Sequence, residues 1–500
     1  MSTMTRTQTE WEVLGKRVLD REWKLLIGGE LRAAAQGKTY EVYNPATEEL
    51  LAQVPFAQEE DVEDAVNKAE KAFHEWRKLT PLERSRYLRR LVEALKKRAD
   101  EFAVLDAIDC GIPITMMLKD VQVGLELMEY ISGLSFEVKG QTYPTGDGGW
   151  HLSWRQPYGV VARIIPFNHP FAGACHNISG PLMAGNTVIL KVADQAPLSS
   201  LLFGEICQEI FPPGVVNILS GNGSITGEAI VKHPKIKRIG FIGSVPTGKT
   251  IIRSSAETAV KHISLELGGK NAMLVFPDVD LDEAVGGAVR GMSFGFQGQS
   301  CSSTSRLFLH ESIHDQFLEK LKRRIEKIKV GLPLDPQSEM GCIVSKEQYE
   351  KVRYYIDSAL AEGAQLLTGG KRPEGTQFEK GYFIQPTVFY HVNRSMKIFN
   401  EEIFGPVLAV IKWNDLEDVV EQINQVEYGL SAAVWTKDID RALEMVERIE
   451  AGFIWVNGNA VHALGVPFQG HKNSGVGSEK SLEEILSYTQ IKTVNIIKSN

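Results

Sequence analysis

Hydrophobic residues recur every three or four positions between charged residues in the first third of the chain, and this spacing predicts amphipathic helices. The predicted helices are Glu59–Glu75, Pro81–Leu105 and Asp120–Gly133. From Gly159 onward, short runs rich in β-branched residues alternate with helical stretches. The predicted strands are Val160–Ile165, Thr187–Leu190, Val215–Leu219 and Arg238–Ile242, with helices between them at Leu198–Ile210 and Gly227–Lys232. Strands and helices that alternate through short turns indicate a mostly parallel sheet.

A second series of the same kind predicts a second α/β unit. The series begins with a predicted strand at His262–Leu267. It continues with strands at Ala272–Phe276, Thr304–His310, Thr387–Tyr390, Val407–Trp413, Ala432–Thr436 and Phe453–Val456, and with helices at Leu281–Phe296 and Ile313–Lys329. The boundary between the two units is expected near Leu267–Lys270. The pattern therefore predicts an α/β fold with two parallel sheets.

Two segments fit neither unit. Tyr143–Trp154 is rich in Gly and then in Trp, His and Ser, and Ser487–Lys498 alternates as an isolated strand. Isolated strands far from a sheet's own sequence often pair across subunits. We therefore expect a small β extension for oligomerisation, made of residues 140–158 and 485–498, in a homodimer or homotetramer.

Composition narrows the class of protein. The 500 residues suggest about three ordinary domains or two large ones. The net charge of −8 gives no broad basic surface, so nucleic acid is not an expected partner. The five cysteines form no CxxC pair. No apolar run is long enough to span a membrane. Residues 1–20 lack the apolar stretch of a signal peptide. We expect a cytoplasmic multidomain protein without membrane association and without a metal.

Two glycine-rich turns follow predicted strands, at Gly221–Gly227 and Phe241–Gly248. Backbone amides at such a turn, where a helix begins, can bind a phosphate. A turn that binds no ligand has the same composition. Neither turn has the GxGxxG spacing, and so glycine spacing alone does not establish a nucleotide site.

Three polar residues lie where catalysis could use them. Cys301 follows a predicted helix among small polar residues, and it is either a thiolate nucleophile or a small buried side chain. Glu266 lies on an apolar strand, where it is either a general base or half of a buried ion pair with a lysine. Asn168 directly follows a strand, where its amide either donates to an oxyanion or forms a turn. The remaining cysteines are expected to be buried: Cys110, Cys175, Cys207 and Cys342.

Seven motifs, taken in order, resemble the NAD(P)-dependent aldehyde dehydrogenase superfamily. They are Pro166-Phe167-Asn168, Leu190-Lys191, Phe241–Gly248, Glu266–Lys270, Gly298–Cys301, Glu401–Pro406 and Pro467-Phe468. The resemblance extends from Asn44 to Val494, which is nearly the whole chain. It implies two Rossmann-like domains: a dinucleotide-binding domain at 1–139 and 159–268, and a catalytic domain at 269–470 that carries Cys301.

The resemblance also implies a role for each catalytic residue. Cys301 matches the nucleophile that attacks the aldehyde carbon and then carries a thioester. Asn168, together with the Cys301 backbone N–H, matches the oxyanion hole. Glu266 matches the base that activates water to release the acid.

The implied cofactor is NAD or NADP. Lys191 and Glu402 match residues that hold ribose hydroxyls, Ser244 matches a pyrophosphate contact and Phe404 packs near the nicotinamide; Phe167, Asp194 and Gly243 complete the expected cofactor site. Asp194 matches an acidic residue near the adenosine ribose. Because a carboxylate accepts from ribose hydroxyls and repels a 2′-phosphate, NAD is favoured over NADP.

One departure from the family and one match to it bear on the type of reaction. Where the family often has Glu, this chain has Gln490, which leaves Glu266 as the base. Glu266 also argues against the CoA-acylating branch of the family, which generally lacks this carboxylate. A CoA-dependent acyl transfer and a catalytically silent protein on the same scaffold remain as alternatives.

The substrate is predicted from positions that match the family's tunnel wall. Many relatives have large apolar side chains there, whereas this chain has small residues and imidazoles. The expected pocket residues are His169, Ala172, Gly173, His176, Ser300, Ser302, His462 and Phe468. Small side chains leave room, and imidazoles offer hydrogen bonds. We therefore expect a bulky, polar or aromatic aldehyde, with water as the second substrate.

Overall fold

Two large, mainly parallel sheets form the framework of the molecule, for which a computed structural model describes residues 6–146 and 148–497. Within these residues, the first sheet has eight strands, in the spatial order Glu30–Arg32, Leu25–Ile27, Val216–Leu219, Thr187–Lys191, Val160–Ile164, Ile236–Ile242, His262–Glu266 and Gly475–Val476. The second sheet, in the same part of the chain, has seven: Gln365–Thr368, Thr387–Tyr390, Val407–Trp413, Arg306–His310, Ala272–Val275, Ser431–Trp435 and Phe453–Val456. The predicted α/β fold with two parallel sheets is confirmed.

Helices pack against both large sheets. In the described ranges the α-helices are Gln8–Leu19, Glu59–Trp76, Pro81–Lys96, Ala99–Cys110, Ile114–Gly133, Pro170–Met183, Leu198–Ile210, Glu228–Lys232, Val245–Ala256, Leu281–Gly291, His314–Ile325, Lys346–Ala361, Lys397–Asn400, Leu416–Asn424, Ile439–Arg448 and Leu482–Ser487. Side-chain caps set several starts; Thr80, for example, accepts from the Glu83 N–H at 3.3 Å. Among these helices, none is both long and apolar enough to cross a bilayer.

The single helix predicted at Pro81–Leu105 is wrong, because the structure has two helices there. Arg98 leaves the helical region, with φ −118° and ψ 16°, between Pro81–Lys96 and Ala99–Cys110. No glycine or proline marks this break. The second helix is buried at every position from Phe102 to Cys110, so its direction is set by the surrounding core. An amphipathic pattern cannot show such a change of direction.

The two segments that fit neither unit lie together in one small sheet. Thr489–Ile496 pairs antiparallel with Trp150–Pro157, which in turn pairs with Gln141–Tyr143. The end of the predicted strand, Lys498, lies outside the described residues. The sheet leaves large apolar side chains exposed, among them Trp150 at 66%.

The carboxyl ends of the parallel strands in the first sheet meet at one edge. Ile164 lies beside Lys191 and Phe241, and Glu266 lies beside Ile242. After Glu266 the chain leaves this edge and enters the second sheet at Ala272. Ligands of open α/β sheets bind at the carboxyl ends of the strands. The candidate site is therefore this edge, together with the loops of the second sheet that face it.

Candidate active site

Cys301 lies in a tightly folded loop that follows a short 3₁₀ turn. Ser293, Gln297 and Gly298 all adopt left-handed φ angles between 54° and 66°, which fold the chain back on itself. Asn271, at the start of the second sheet, donates from Nδ2 to the carbonyl oxygens of Cys301 at 2.7 Å and Ser303 at 3.0 Å. The loop that carries the thiol is thus fixed to the second sheet.

Asn168 follows a strand of the first sheet and reaches the same loop. Its side chain is 4% exposed, and its Nδ2 donates to the Gln299 carbonyl at 3.0 Å. A primary amide carries two N–H donors, so this bond leaves one for another acceptor. The Asn168 amide is therefore hydrogen-bonded to the loop that carries the thiol, at Gln299, two positions before Cys301.

Glu266 ends its strand at the shared edge and is 6% exposed. Its Oε1 has no hydrogen-bond partner among the described residues. Burial raises the pKa of Glu266 to about 7, opposed in part by interaction with Cys301. Burial and then the charge of Glu266 raise the pKa of the Cys301 thiol. The two side chains therefore share one cleft and titrate as an interacting pair.

Lys191 is the last residue of the strand Thr187–Lys191, and Asp194 follows it in the loop. The Lys191 side chain is buried, and its ammonium has no hydrogen-bond acceptor in the part of the chain that is described. Burial lowers the pKa of Lys191, with the Asp194 carboxylate acting in the opposite direction. An ammonium that has no acceptor among the described residues can donate to the hydroxyl groups of a ligand.

Gly243 and Ser244 form the turn between a strand and the helix Val245–Ala256. The Gly243 N–H donates to the Glu266 carbonyl at 3.0 Å, which connects this turn to the catalytic strand. Ser244 is exposed, and its Oγ caps the helix by accepting from the Thr247 N–H at 3.4 Å. The start of this helix thus opens toward solvent at the same sheet edge, where an anion would be favoured.

Glu402 and Phe404 come from the second sheet's side of the cleft. Glu402 accepts from the Gly269 N–H at 3.0 Å, and a side chain at Gly268 would collide with its carboxylate. Phe404 meets Phe167 edge-on, with ring centroids 5.8 Å apart. Residues separated by more than 200 positions thus border one groove between the two sheets.

The predicted substrate residues divide into two groups. His169 lies 2.7 Å from Asp120 through Nδ1, and its ring centroid is 4.9 Å from that of Phe296. The ring of His462 lies 5.1 Å from that of Phe468. The hydroxyls of Ser300 and Ser302, on either side of Cys301, are 3.2 Å apart. These residues lie around the thiol and its loop.

The second group lies within the helix Pro170–Met183. Ala172 is buried against Gly124, and Gly173 packs on Ile165. His176 is 5% exposed, and its Nε2 lies 2.6 Å from Glu484. This placement does not support the expectation that His176 lines a substrate pocket. Its partner is a carboxylate 308 residues away in the chain, which the spacing of the helix could not reveal.

Two residues of the site were not assigned a role from the sequence. Asn271 fixes the Cys301 loop, and Asp120 fixes His169. Both are buried and polar. Burial of a polar side chain is a signal of a specific partner, but it becomes visible only in three dimensions.

Comparisons with known proteins show the family of the chain. The Aldehyde dehydrogenase family matches residues 32–494. Aldehyde dehydrogenase tropH from Talaromyces stipitatus is 42% identical over 480 residues, covering 94% of this chain and 93% of that protein. The NAD+ complex structure of an aldehyde dehydrogenase from Bacillus cereus superposes with a TM-score of 0.94 at 39% identity, over 97% of this chain and 98% of the other. The indole-3-acetaldehyde dehydrogenase AldA of P. syringae was solved as a cysteine-to-alanine mutant with NAD+ and IAA. It superposes with a TM-score of 0.95 at 34% identity, over 99% of this chain and 100% of the other.

The fold and the site define an oxidoreductase that acts on aldehydes. The chain belongs to the aldehyde dehydrogenase family, as the match over most of its length and the relatives at about 40% identity show.

Proposed function

We propose that this protein oxidises an aldehyde to a carboxylic acid with NAD+, through a thioester on Cys301. The observation that carries the proposal is that the Cys301 thiol and the Glu266 carboxyl share one buried cleft, next to an amide donor at Asn168. A nucleophile, a base and an oxyanion donor are the groups that acyl chemistry requires.

The first half of the reaction uses the thiol. Its sulfur bonds to the aldehyde carbon while its proton passes to Glu266, whose pKa of about 7 suits proton transfer near neutrality. The carbonyl oxygen becomes an oxyanion, which the second N–H of Asn168 and the backbone N–H of Cys301 stabilise in this proposal. When bound, the nicotinamide supplies the acceptor for the hydride that leaves this carbon. The carbon that remains on sulfur is a thioester.

The second half uses water. Glu266 first releases to solvent the proton that it took from the thiol. It then takes a proton from a water molecule, and the resulting hydroxide attacks the thioester carbon. The same two N–H donors stabilise the second oxyanion. Collapse of this adduct breaks the carbon–sulfur bond and releases the carboxylic acid and the Cys301 thiolate, which recovers its proton.

The residues at the sheet edge fit a dinucleotide. The unpartnered ammonium of Lys191 and the carboxylates of Asp194 and Glu402 offer a donor and acceptors for ribose hydroxyls, and Ser244 opens a helix start toward a pyrophosphate. The carboxylate of Asp194 favours NAD+ over NADP+. The two solved relatives described above each hold NAD+, which supports the same choice.

The residues around Cys301 favour a bulky, polar or aromatic aldehyde. Phe296, Phe468 and the imidazoles of His169 and His462 offer flat apolar surfaces and hydrogen-bonding groups. A short alkanal would fill little of such a pocket.

The exposed side chains of the small three-stranded sheet favour self-association as a homodimer or homotetramer. Trp150 and Ile491 are more than 60% exposed there, and apolar surface of this kind commonly marks a contact between proteins. Sedimentation velocity at micromolar concentration should give a mass above that of one chain, whereas a single-chain mass would contradict this proposal.

The proposed reaction is tested by following NADH formation over a panel of aldehydes without CoA. We expect NADH and carboxylic acid in equal amounts, with NAD+ preferred over NADP+, and no product from Cys301→Ala. Cys207→Ala is the matched control, because Cys207 is a buried thiol in the helix Leu198–Ile210. Acid formation that needs CoA, or activity that survives in Cys301→Ala, would contradict the mechanism.

A further inference from the structure

We propose that Lys480 binds a negatively charged group, a carboxylate or an acidic ring hydroxyl, on an aromatic aldehyde substrate. This inference rests on the proposed function, and it further specifies that the substrate carries a negative charge. Its basis is an ammonium group placed beside an aromatic cluster in the cleft that holds the reacting side chains.

The aromatic cluster consists of four rings, Phe453, Trp455, His462 and Phe468. The centroid of His462 lies 5.4 Å from that of Phe453, 5.6 Å from that of Trp455 and 5.1 Å from that of Phe468. The indole N–H of Trp455 donates to the Val461 carbonyl at 2.7 Å and so holds the loop that carries His462. Trp455 and Phe468 are buried, whereas Phe453 is half-buried and His462 is exposed, so the latter two offer surface on which a flat substrate ring can pack.

Lys480 places its charge at this cluster. Its Nζ lies 5.1 Å from the centroid of the Phe468 ring, and the side chain is half-buried. Burial is the main cause of the pKa shifts of His462, Glu266 and the Cys301 thiol; the positive charge of Lys480 adds to the lowering of the His462 pKa and opposes the rise of the other two. An ammonium that acts on all three groups faces the cleft in which the aldehyde would react.

No carboxylate of the described residues forms an ion pair with this ammonium. The neighbouring Glu479 is turned away, because both of its oxygens accept from the buried guanidinium of Arg163 at 3.0 and 2.8 Å. Two further carboxyl groups border the cleft: Glu402 accepts from the Gly269 N–H at 3.0 Å, and Glu266, with a pKa of about 7, is largely neutral below that pH. The charge on Lys480 is therefore available to an anionic ligand.

The backbone at Lys480 is held in an unusual conformation. Its φ of +65° lies in the left-handed region, which favours glycine. Its N–H donates to Glu484 Oε2 at 2.7 Å, and the preceding Glu479 pairs with Phe468 in a short antiparallel ladder. These backbone contacts fix the point from which the Lys480 side chain extends.

The experiment compares two para-substituted benzaldehydes that differ in charge, 4-carboxybenzaldehyde and its methyl ester. The quantity measured is the ratio of their kcat/KM values, from NADH formation at saturating NAD+. Lys480 also acts on the Cys301 thiol, but the fraction of thiolate multiplies both rates and cancels in the ratio. The ester is larger and its aldehyde is intrinsically more reactive, but this difference is the same for every variant. The change in the ratio when Lys480 is replaced thus reports recognition of the charge.

We expect the wild-type protein to prefer the carboxylate by about tenfold, as for one charge-assisted hydrogen bond in a partly desolvated cleft. Lys480→Met should lower the ratio by about the same factor of ten, and Lys480→Arg should keep most of the preference. Lys480→Gly is a second neutral variant that suits the left-handed backbone, so that a folded protein without the charge is available. Lys380→Met, which removes an exposed lysine elsewhere, should leave the ratio unchanged.

A ratio that stays the same as in the wild type in both neutral variants would overturn the proposal. This result leaves the proposed oxidation intact, because the methyl ester is still oxidised. If the wild-type protein oxidises neither compound nor any other aldehyde of the panel, the proposed function fails and Lys480 has no substrate to recognise.

Discussion

Replacement of Glu266 by Gln should stabilise the folded protein at alkaline pH, although it removes the proposed base. The carboxyl is 6% exposed, and burial raises its pKa from 4.5 to about 7. A raised pKa means that the folded state binds this proton more tightly than the unfolded state does. Between these two pH values the unfolded chain releases the proton first, and the folded state loses stability as the pH rises. Glutamine has the same shape and no such dependence.

The magnitude follows from the difference between the two pKa values. At about 1.4 kcal/mol for each pH unit, ionised Glu266 destabilises the folded state by about 3 kcal/mol well above pH 7. At about pH 5 the same calculation gives a cost of about 1 kcal/mol. The free energy of unfolding of Glu266→Gln, relative to that of the wild type, should therefore rise by about 2.5 kcal/mol between about pH 5 and about pH 8.

Urea unfolding of the two proteins at several pH values measures this difference. Glu447→Gln is the matched control, because Glu447 is an exposed glutamate and its replacement should give no pH-dependent change. The Cys301 thiol contributes little over this range, since its own raised pKa keeps it protonated. If Glu266→Gln loses stability relative to the wild type as the pH rises, Glu266 is held as an anion by the fold, and the assignment of a nearly neutral buried base is wrong.

Three further predictions concern catalysis. Asn168→Ala should lower kcat by about 100-fold or more, as expected for the loss of one oxyanion donor, with little change in the affinity for NAD+. If steady-state kinetics show that kcat falls by less than about threefold, Asn168 does not stabilise the oxyanion. Where hydrolysis limits the rate, kcat should rise with pH to a plateau around an apparent pKa of about 7, because Glu266 must be ionised to accept a proton; a flat pH profile would exclude Glu266 as the base. Asp194→Ser should raise kcat/KM for NADP+ about tenfold by removing the repulsion of the 2′-phosphate; an unchanged preference between the two cofactors would show that Asp194 does not set it.

Much of the fold could be predicted from the sequence because its central strands are buried on both faces. Such strands appear as continuous apolar runs, and Val160–Ile164 and Thr187–Lys191 are buried at every position. The break at Arg98 could not be predicted, because it comes from tertiary packing and carries no glycine or proline.

Less of the candidate site than of the fold could be predicted from the sequence. Each of Cys301, Glu266 and Asn168 had a structural interpretation when taken alone, and the resemblance of motifs favoured the catalytic one. The structure brings the three together through a strand pairing and one side-chain hydrogen bond across 131 residues. Lys480 was not found because no spacing distinguishes it from the other lysines of the chain. Only the structure shows that its ammonium lies over the Phe468 ring and that its backbone is left-handed.

The most direct test of the reaction is to trap its intermediate in the Glu266→Gln variant. The variant is mixed with NAD+ and an aldehyde that the wild type oxidises, NADH is followed in time, and the protein is analysed by intact mass and peptide mapping. The proposed mechanism predicts about one NADH per active site, then very slow turnover, with the acyl group attached to Cys301. Turnover at the wild-type rate, or an acyl group on any cysteine other than Cys301, would contradict it.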